Sequence, residues 1–159
     1  MPLVELGRFS EAFPLLRDSL AAYDGMGFGP EHPQLGNIPQ LYGRALLGVG
    51  RAADSLSLFQ RVIAHIEQRF GRHHYFIPEN LLRISDAYTQ MGRSCDERLP
   101  LLDRAVAIRE LSIGVDKNSK RHADLIGQAL QKSAECSEEA GRLAEAEWAK
   151  CVAAYTKVS

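Results

Sequence analysis

The chain has 159 residues, of which 45% are hydrophobic and 25% charged, and carries a formal net charge of −1. That is an ordinary single-domain length with a globular composition, which excludes a disordered chain. The near-neutral balance gives no general attraction to nucleic acid or to an anionic membrane, and no apolar run approaches the roughly 18–20 residues of a membrane span.

In chain order, residues 1–6 read as the tail of a helix closed by Gly7, with no basic-then-apolar secretion signal. A helix is predicted from Arg8 to Asp24, capped by Ser10, with Phe13, Leu16, Leu20 and Tyr23 on one face. Residues 25–33, rich in Gly and Pro, read as a loop. Helices over 35–49 and 53–70 form a pair around Gly50. In the second of these, Leu56, Phe59, Val62, Ile63, Ile66 and Phe70 recur at steps of three or four, the mark of one buried face. After a loop over 71–77, Pro78 opens a third pair. Leu81, Ile84 and Tyr88 line its first helix, and Leu99, Leu102, Ala105 and Val106 its second, from Cys95 to Ile113. The last two helices are expected over 123–140 and 143–158. Leu125, Ile126, Ala129, Leu130 and Ala134 carry the first, and Trp148, Val152 and Tyr155 the second.

One helix pair cannot bury its apolar faces alone, so a stack of pairs is expected, and the chain repeats itself. Gly-Arg occurs at Gly7-Arg8, Gly50-Arg51, Gly92-Arg93 and Gly141-Arg142, spaced 43, 42 and 49 residues apart. Phe28-Gly29-Pro30-Glu31-His32-Pro33 returns 42 residues later as Phe70-Gly71-Arg72-His73-His74-Tyr75, and Ile113-Gly114-Val115-Asp116 follows after another 43. A similar helix start follows the Gly-Arg marks: Ser10-Glu11-Ala12-Phe13-Pro14-Leu15-Leu16, Asp96-Glu97-Arg98-Leu99-Pro100-Leu101-Leu102 and Ala144-Glu145-Ala146-Glu147. Pro14 and Pro100 are read as marks of helix starts, where a missing N–H costs little.

Gly-Arg-x-x-Glu-Ala, Pro-Leu-Leu, Arg-Ala-Val-Ala-Ile-Arg-Glu over 104–110 and Phe-Gly-Pro-Glu-His-Pro together resemble the tetratricopeptide repeat, in the kinesin-light-chain variety with its longer period. The resemblance covers nearly the whole chain. It implies an all-α fold, an α-α superhelix of antiparallel helix pairs, as one array over 1–159: a partial repeat at 1–34 and repeats at 35–76, 77–118 and 119–159. The third loop departs from the pattern, with Gly114 to His122 where the family has Gly-x-x-His-Pro, and the extra residues of the last period fall either here or in the helix after it. Solenoid ends need polar caps. The half-repeat at the start and a final helix bearing Trp148 and Tyr155 point to a fragment of a longer array, to ends that pack on another chain, or to Trp148 packing inward on the preceding helix.

No constellation carries chemistry. His73, His74 and His65 lack a carboxylate or thiol at ligand spacing, so a loop histidine bonding backbone is the reading for His74, and no metal is expected. Cys95, Cys136 and Cys151, an odd and widely spaced set, fit reduced thiols and a cytoplasmic setting better than a disulfide framework. Gly25-Met26-Gly27-Phe28-Gly29 follows a helix and lacks the Gly-Lys-Ser/Thr ending of a phosphate loop. Glu138-Glu139 reads as a solvated helix face. No catalytic residue and no cofactor are expected.

What remains is a surface. In the family the first helix of each pair lines a concave groove that takes a peptide. Setting each hinge glycine in register with the family places groove positions at Asn37, Gln40, Arg44 and Leu47, then Glu79, Leu82, Asp86 and Thr89, then Gln128, Gln131, Glu135 and Glu138. Residues 44–72 carry Arg44, Arg51, Arg61, Arg69 and Arg72 against Asp54 and Glu67, whereas 124–150 are richer in acids, so a groove more basic in the middle is expected to steer and orient a charged peptide. The function implied is a non-catalytic interaction module holding a peptide segment of a protein partner. An alternative is the regulatory or sensory arm of a larger enzyme, such as a nucleotide-switch ATPase or a lysine methyltransferase. No nucleic acid or membrane partner is expected; self-association through uncapped ends is a further route.

Overall fold

The computed structural model describes residues 7–27, 37–111, 119–136, 145–146 and 148–153, with the side chains of 119–123 excepted. Every regular element among them is helical. The helices are α1 (Phe9–Met26), α2 (Ile38–Gly48), α3 (Ala52–Phe70), α4 (Ile77–Gln90), α5 (Cys95–Leu111) and α6 (Ser119–Ala134), and residues 148–153 are also helical. Among the described residues, no helix is long and apolar enough to cross a membrane.

Consecutive helices pack in chain order. In addition α2 touches α4 and α4 touches α6, whereas α1, α3 and α5 make no such contact with one another. The molecule is thus two rows. One row is closed up, its helices touching one another, and the other is spread. Ion pairs bridge the spread row at the repeat spacing. Asp24 of α1 pairs with Arg61 of α3 at 3.2 Å, and Glu67 of α3 pairs with Arg104 of α5. Both partners step forward by 43 residues between the two bridges.

Two of the Gly-Arg marks share one geometry in full, and Gly141-Arg142 lies outside the described residues. Gly50 and Gly92 sit at φ 81° and 68°, a left-handed conformation that a Cβ disfavours. The next arginine closes each turn from its backbone N–H: Arg51 to the Leu46 carbonyl at 2.8 Å, and Arg93 to that of Tyr88 at 2.9 Å. Each arginine then pairs with an acid in the first turn of the following helix, Arg51 with Asp54 and Arg93 with Glu97, as Arg8 does with Glu11. These pairs are solvent-exposed, so they orient the turn more than they stabilise it.

Helix boundaries depart from expectation in four places. Arg8, not Ser10, precedes α1, and no side chain caps it. The helix also runs through Gly25 to Met26, so the turn begins at Gly27. Pro14 and Pro100 lie at the sixth residue of α1 and α5, a full turn in. Their missing N–H leaves the carbonyls of Ser10 and Asp96 to solvent, which both exposed residues can reach, and packing of the other faces carries the helices through. Finally, α6 begins at Ser119, earlier than 123, and ends at Ala134.

The main core joins α2 to α5 through Leu47, Phe59, Ile63, Ile66, Ile77, Leu81, Ile84 and Ile108. Phe59 is fully buried at its centre. A Cβ placed on Gly43 would lie 2.7 Å from the Phe59 ring, so only glycine lets α2 approach α3 this closely. Of the α3 face expected from periodicity, Phe59, Val62, Ile63 and Ile66 are buried and Leu56 is half-buried; Phe70 is instead exposed at the loop. Truncating Phe59→Ala should therefore cost about 3–5 kcal/mol of unfolding free energy. Gly43→Ala should cost about 1–3 kcal/mol by forcing the two helices apart. Arg72→Ala, whose side chain is exposed, should stay within about 0.5 kcal/mol. Urea unfolding followed by circular dichroism checks all three, and similar small effects would mean that Phe59 is not central.

Candidate functional site

A polar cleft of about 420 Å³ lies between the ends of the closed-up row. Arg44, Leu47 and Gly48 enter it from α2, Arg83, Asp86, Thr89 and Gln90 from α4, and Lys132 with Glu135 from α6 and the turn after it. Phe9 of α1 and Arg98 of α5 complete the rim. The same side of three successive inner helices therefore faces one space. Four cations, Arg44, Arg83, Arg98 and Lys132, meet two carboxylates, Asp86 and Glu135, in it.

Asp86 is the hub. It accepts from Arg83 at 3.2 Å on one oxygen and from Lys132 on the other, so one carboxylate ties α4 to α6. Gln90 donates its side-chain N–H to the Leu47 carbonyl at 3.0 Å, which ties α4 to α2. Arg98 reaches over from α5 to donate to the Thr89 hydroxyl at 2.7 Å and to the Cys95 sulfur at 2.9 Å. The Nε atoms of Arg83 and Arg98 are buried without a hydrogen-bond partner among the described residues. Arg44 has no ion-pair partner among the described residues. The cleft thus holds more positive charge than its own acids neutralise.

The positions expected to line a groove distribute unevenly. Arg44, Leu47, Asp86, Thr89 and Glu135 lie together in the cleft. Asn37, Gln40 and Glu79 are on the inner helices or at their start but outside the cleft lining. Leu82 is a correction: it is fully buried against Leu102, Leu125 and Ala129 and has no surface to offer, and its neighbour Arg83 takes the cleft position. Gln128 and Gln131 face another way. They line a second, more apolar hollow of about 550 Å³ with Leu130, Trp148 and Val152, while Lys132 faces the cleft one residue further on. Glu138 lies outside the described residues. The one-residue offset has a physical source, because the rotation of α6 is set by burying Leu125, Ile126 and Ala129. The indole of Trp148 packs on Gly127, where an added Cβ would fall 2.6 Å from its Nε1.

The expected basic stretch also needs correction. Of Arg44, Arg51, Arg61, Arg69 and Arg72, only Arg44 lines the cleft. Arg51 and Arg61 pair with Asp54 and Asp24 away from it. The remaining positive charge comes from Arg83, Arg98 and Lys132, which a count along the chain does not single out.

The cysteines overturn a further expectation. Cys95, the first residue of α5, and Cys136, just after α6, are joined by a disulfide with a Cα–Cα distance of 5.4 Å. They meet because the start of α5 and the end of α6 share one end of the stack, which a separation of 41 residues conceals. Cys151 is outside the bond and packs against Ile126 and Leu130.

The histidines make no metal cluster among the described residues. His74 sits in an aromatic group instead, stacked on Phe70 at 4.8 Å between centroids and close to Tyr75 and Phe76. Its Nδ1 accepts a long hydrogen bond from the Phe76 backbone N–H at 3.4 Å. Burial of the ring holds its pKa below the ordinary 6.5. No protein-family model matches the chain, and no curated protein matches it either.

The lowered His74 pKa sets a direction for pH. The folded state binds fewer protons here than the unfolded state, so the contribution of the neutral ring is present above pH 6.5 and is lost as the pH falls through the lower folded value. Wild type should therefore lose stability relative to His74→Gln between pH 7.5 and 5.5 in urea titrations. A difference that stays constant across that range would show that the ring does not titrate in this environment.

Proposed function

We propose that the chain is a non-catalytic interaction module of the tetratricopeptide kind, which holds a peptide segment of a protein partner in the cleft lined by α2, α4 and α6. The observation that carries this reading is the convergence of equivalent positions from three successive inner helices on one polar hollow. A bound extended segment would find side-chain donors from Arg44, Arg83, Gln90 and Lys132 spaced along it. Four cations against two carboxylates favour a segment with acidic side chains. Arg44 is the group best able to pair with such a carboxylate, since Arg83 and Lys132 already share Asp86.

A fluorescein-labelled peptide of eight glutamates, followed by anisotropy, tests the proposal. Binding should be measurable at 50 mM salt and weaken several-fold at 300 mM, because the charges lie at a solvent-open cleft. Arg44→Glu should weaken it at least about tenfold by reversing one charge in the cleft. Arg61→Glu, whose side chain lies on the spread row, should leave it within about twofold. Binding that ignores salt, or that responds alike to both substitutions, would contradict an acidic ligand in this cleft.

A further inference from the structure

The bond between Cys95 and Cys136 lies beside the cleft, and one of its sulfurs touches a cleft residue. Arg98 Nη2 is 2.9 Å from Cys95 Sγ, and the same guanidinium donates to Thr89 at 2.7 Å. Cys95 is also the first residue of α5, where the free N–H groups and the helix dipole favour negative charge. A thiolate at Cys95 would therefore be stabilised twice, by the helix start and by Arg98. Asp96 and Glu97 also lie in that first turn, but both are exposed and Glu97 is paired with Arg93. Cys136 has no comparable support: it follows the C-terminal end of α6, where the dipole disfavours negative charge, its chain neighbour Glu135 is acidic, and Lys132 of α6 is already paired with Asp86. Both cysteines are only half-buried, so a small thiol can reach them. A disulfide with one well-stabilised leaving thiolate and an open approach is of the labile type.

From this we infer that Cys95 and Cys136 form a reversible dithiol switch that sets the charge of the cleft. The inference rests on the proposed reading of the cleft as a site for acidic segments. In the oxidised form the Cys95 sulfur is neutral, and Arg98 presents its full charge to the cleft. In the reduced form the Cys95 thiolate pairs with Arg98 and cancels that charge, while the start of α5 and the end of α6 lose their tether. The co-reactant is a low-molecular-weight disulfide. The Cys95 thiolate attacks one of its sulfurs, breaking the S–S bond and releasing one small thiol, which takes a proton from solvent. Cys136 then gives up its proton and attacks Cys95 Sγ in the mixed disulfide, which forms the protein bond and expels the second small thiol. Two electrons pass from the protein to the small disulfide. By reciprocity, an acidic ligand in the cleft favours the oxidised form.

The full chain is equilibrated with set ratios of reduced to oxidised glutathione and then alkylated under denaturing conditions. Melting temperature and binding of the octaglutamate probe are measured on matched samples. The inference expects mass spectrometry to find the Cys95–Cys136 link while Cys151 is alkylated. It also expects a melting temperature about 10 °C lower after reduction, and a probe affinity about fivefold weaker in the reduced form. Cys95→Ser should remove the redox response of binding. Arg98→Gln should keep the link and the melting shift but make binding indifferent to redox state, which a purely structural bond would not do. Absence of the link at every ratio overturns the inference, as does equal affinity of both wild-type forms, and in each case the reading of the cleft stands. Absence of probe binding in both forms overturns the reading of the cleft and the switch with it.

Discussion

The buried ring of Phe59 lies against bare backbone at Gly43, where a methyl group would fall 2.7 Å from it. That contact sets how closely α2 can approach α3. Because Phe59 also belongs to the cluster that includes Ile77, Leu81 and Ile84 of α4, the same ring places the next inner helix beside the first. α2 closes on α4 and α4 on α6, while α1, α3 and α5 stay apart. The cleft lies between the ends of the closed-up helices. Its polar groups are brought together by apolar packing several residues away from them.

The polar groups then lock what packing has placed. Asp86 holds Arg83 on its own helix and Lys132 on the next, and Gln90 holds the Leu47 carbonyl of the previous one. These bonds cross between repeats, so they report the spacing of the inner row as well as lining the cleft. The outer row has its own ties, Arg61 to Asp24 and Arg104 to Glu67, which allow its helices to stand apart without being independent. At the far end of the stack α6 is joined to α5 through Leu102, Leu125 and the Cys95–Cys136 bond.

Most of the fold was legible in the sequence because its signals are local. Gly50 and Gly92 mark left-handed turns, and the three- and four-residue steps of Phe59, Ile63 and Ile66 mark a buried face. What was not legible depends on rotation and distance. Leu82 and Arg83 are neighbours, and only the packing of α4 on Leu102 and Leu125 decides which one turns inward. On α6 the same choice falls between Gln131 and Lys132. Arg98 belongs to an outer helix and reaches the cleft over Thr89, a contact without periodic signature. The pairing of Cys95 with Cys136 is likewise a matter of which helix ends share one end of the stack. The phase of a helix, more than its existence, limits what can be read from one chain.

The most direct test of the central claim, that inner-helix packing assembles a single site for an acidic segment, is to map where such a segment touches the folded chain. Amide chemical shifts of ¹⁵N-labelled protein would be followed during titration with unlabelled octaglutamate. The account predicts that the largest changes cluster at Arg44, Arg83, Thr89, Gln90 and Lys132, three helices far apart in sequence moving with one apparent affinity. Changes centred instead on the hollow beside Trp148, or scattered over the exposed arginines of α3, would contradict it.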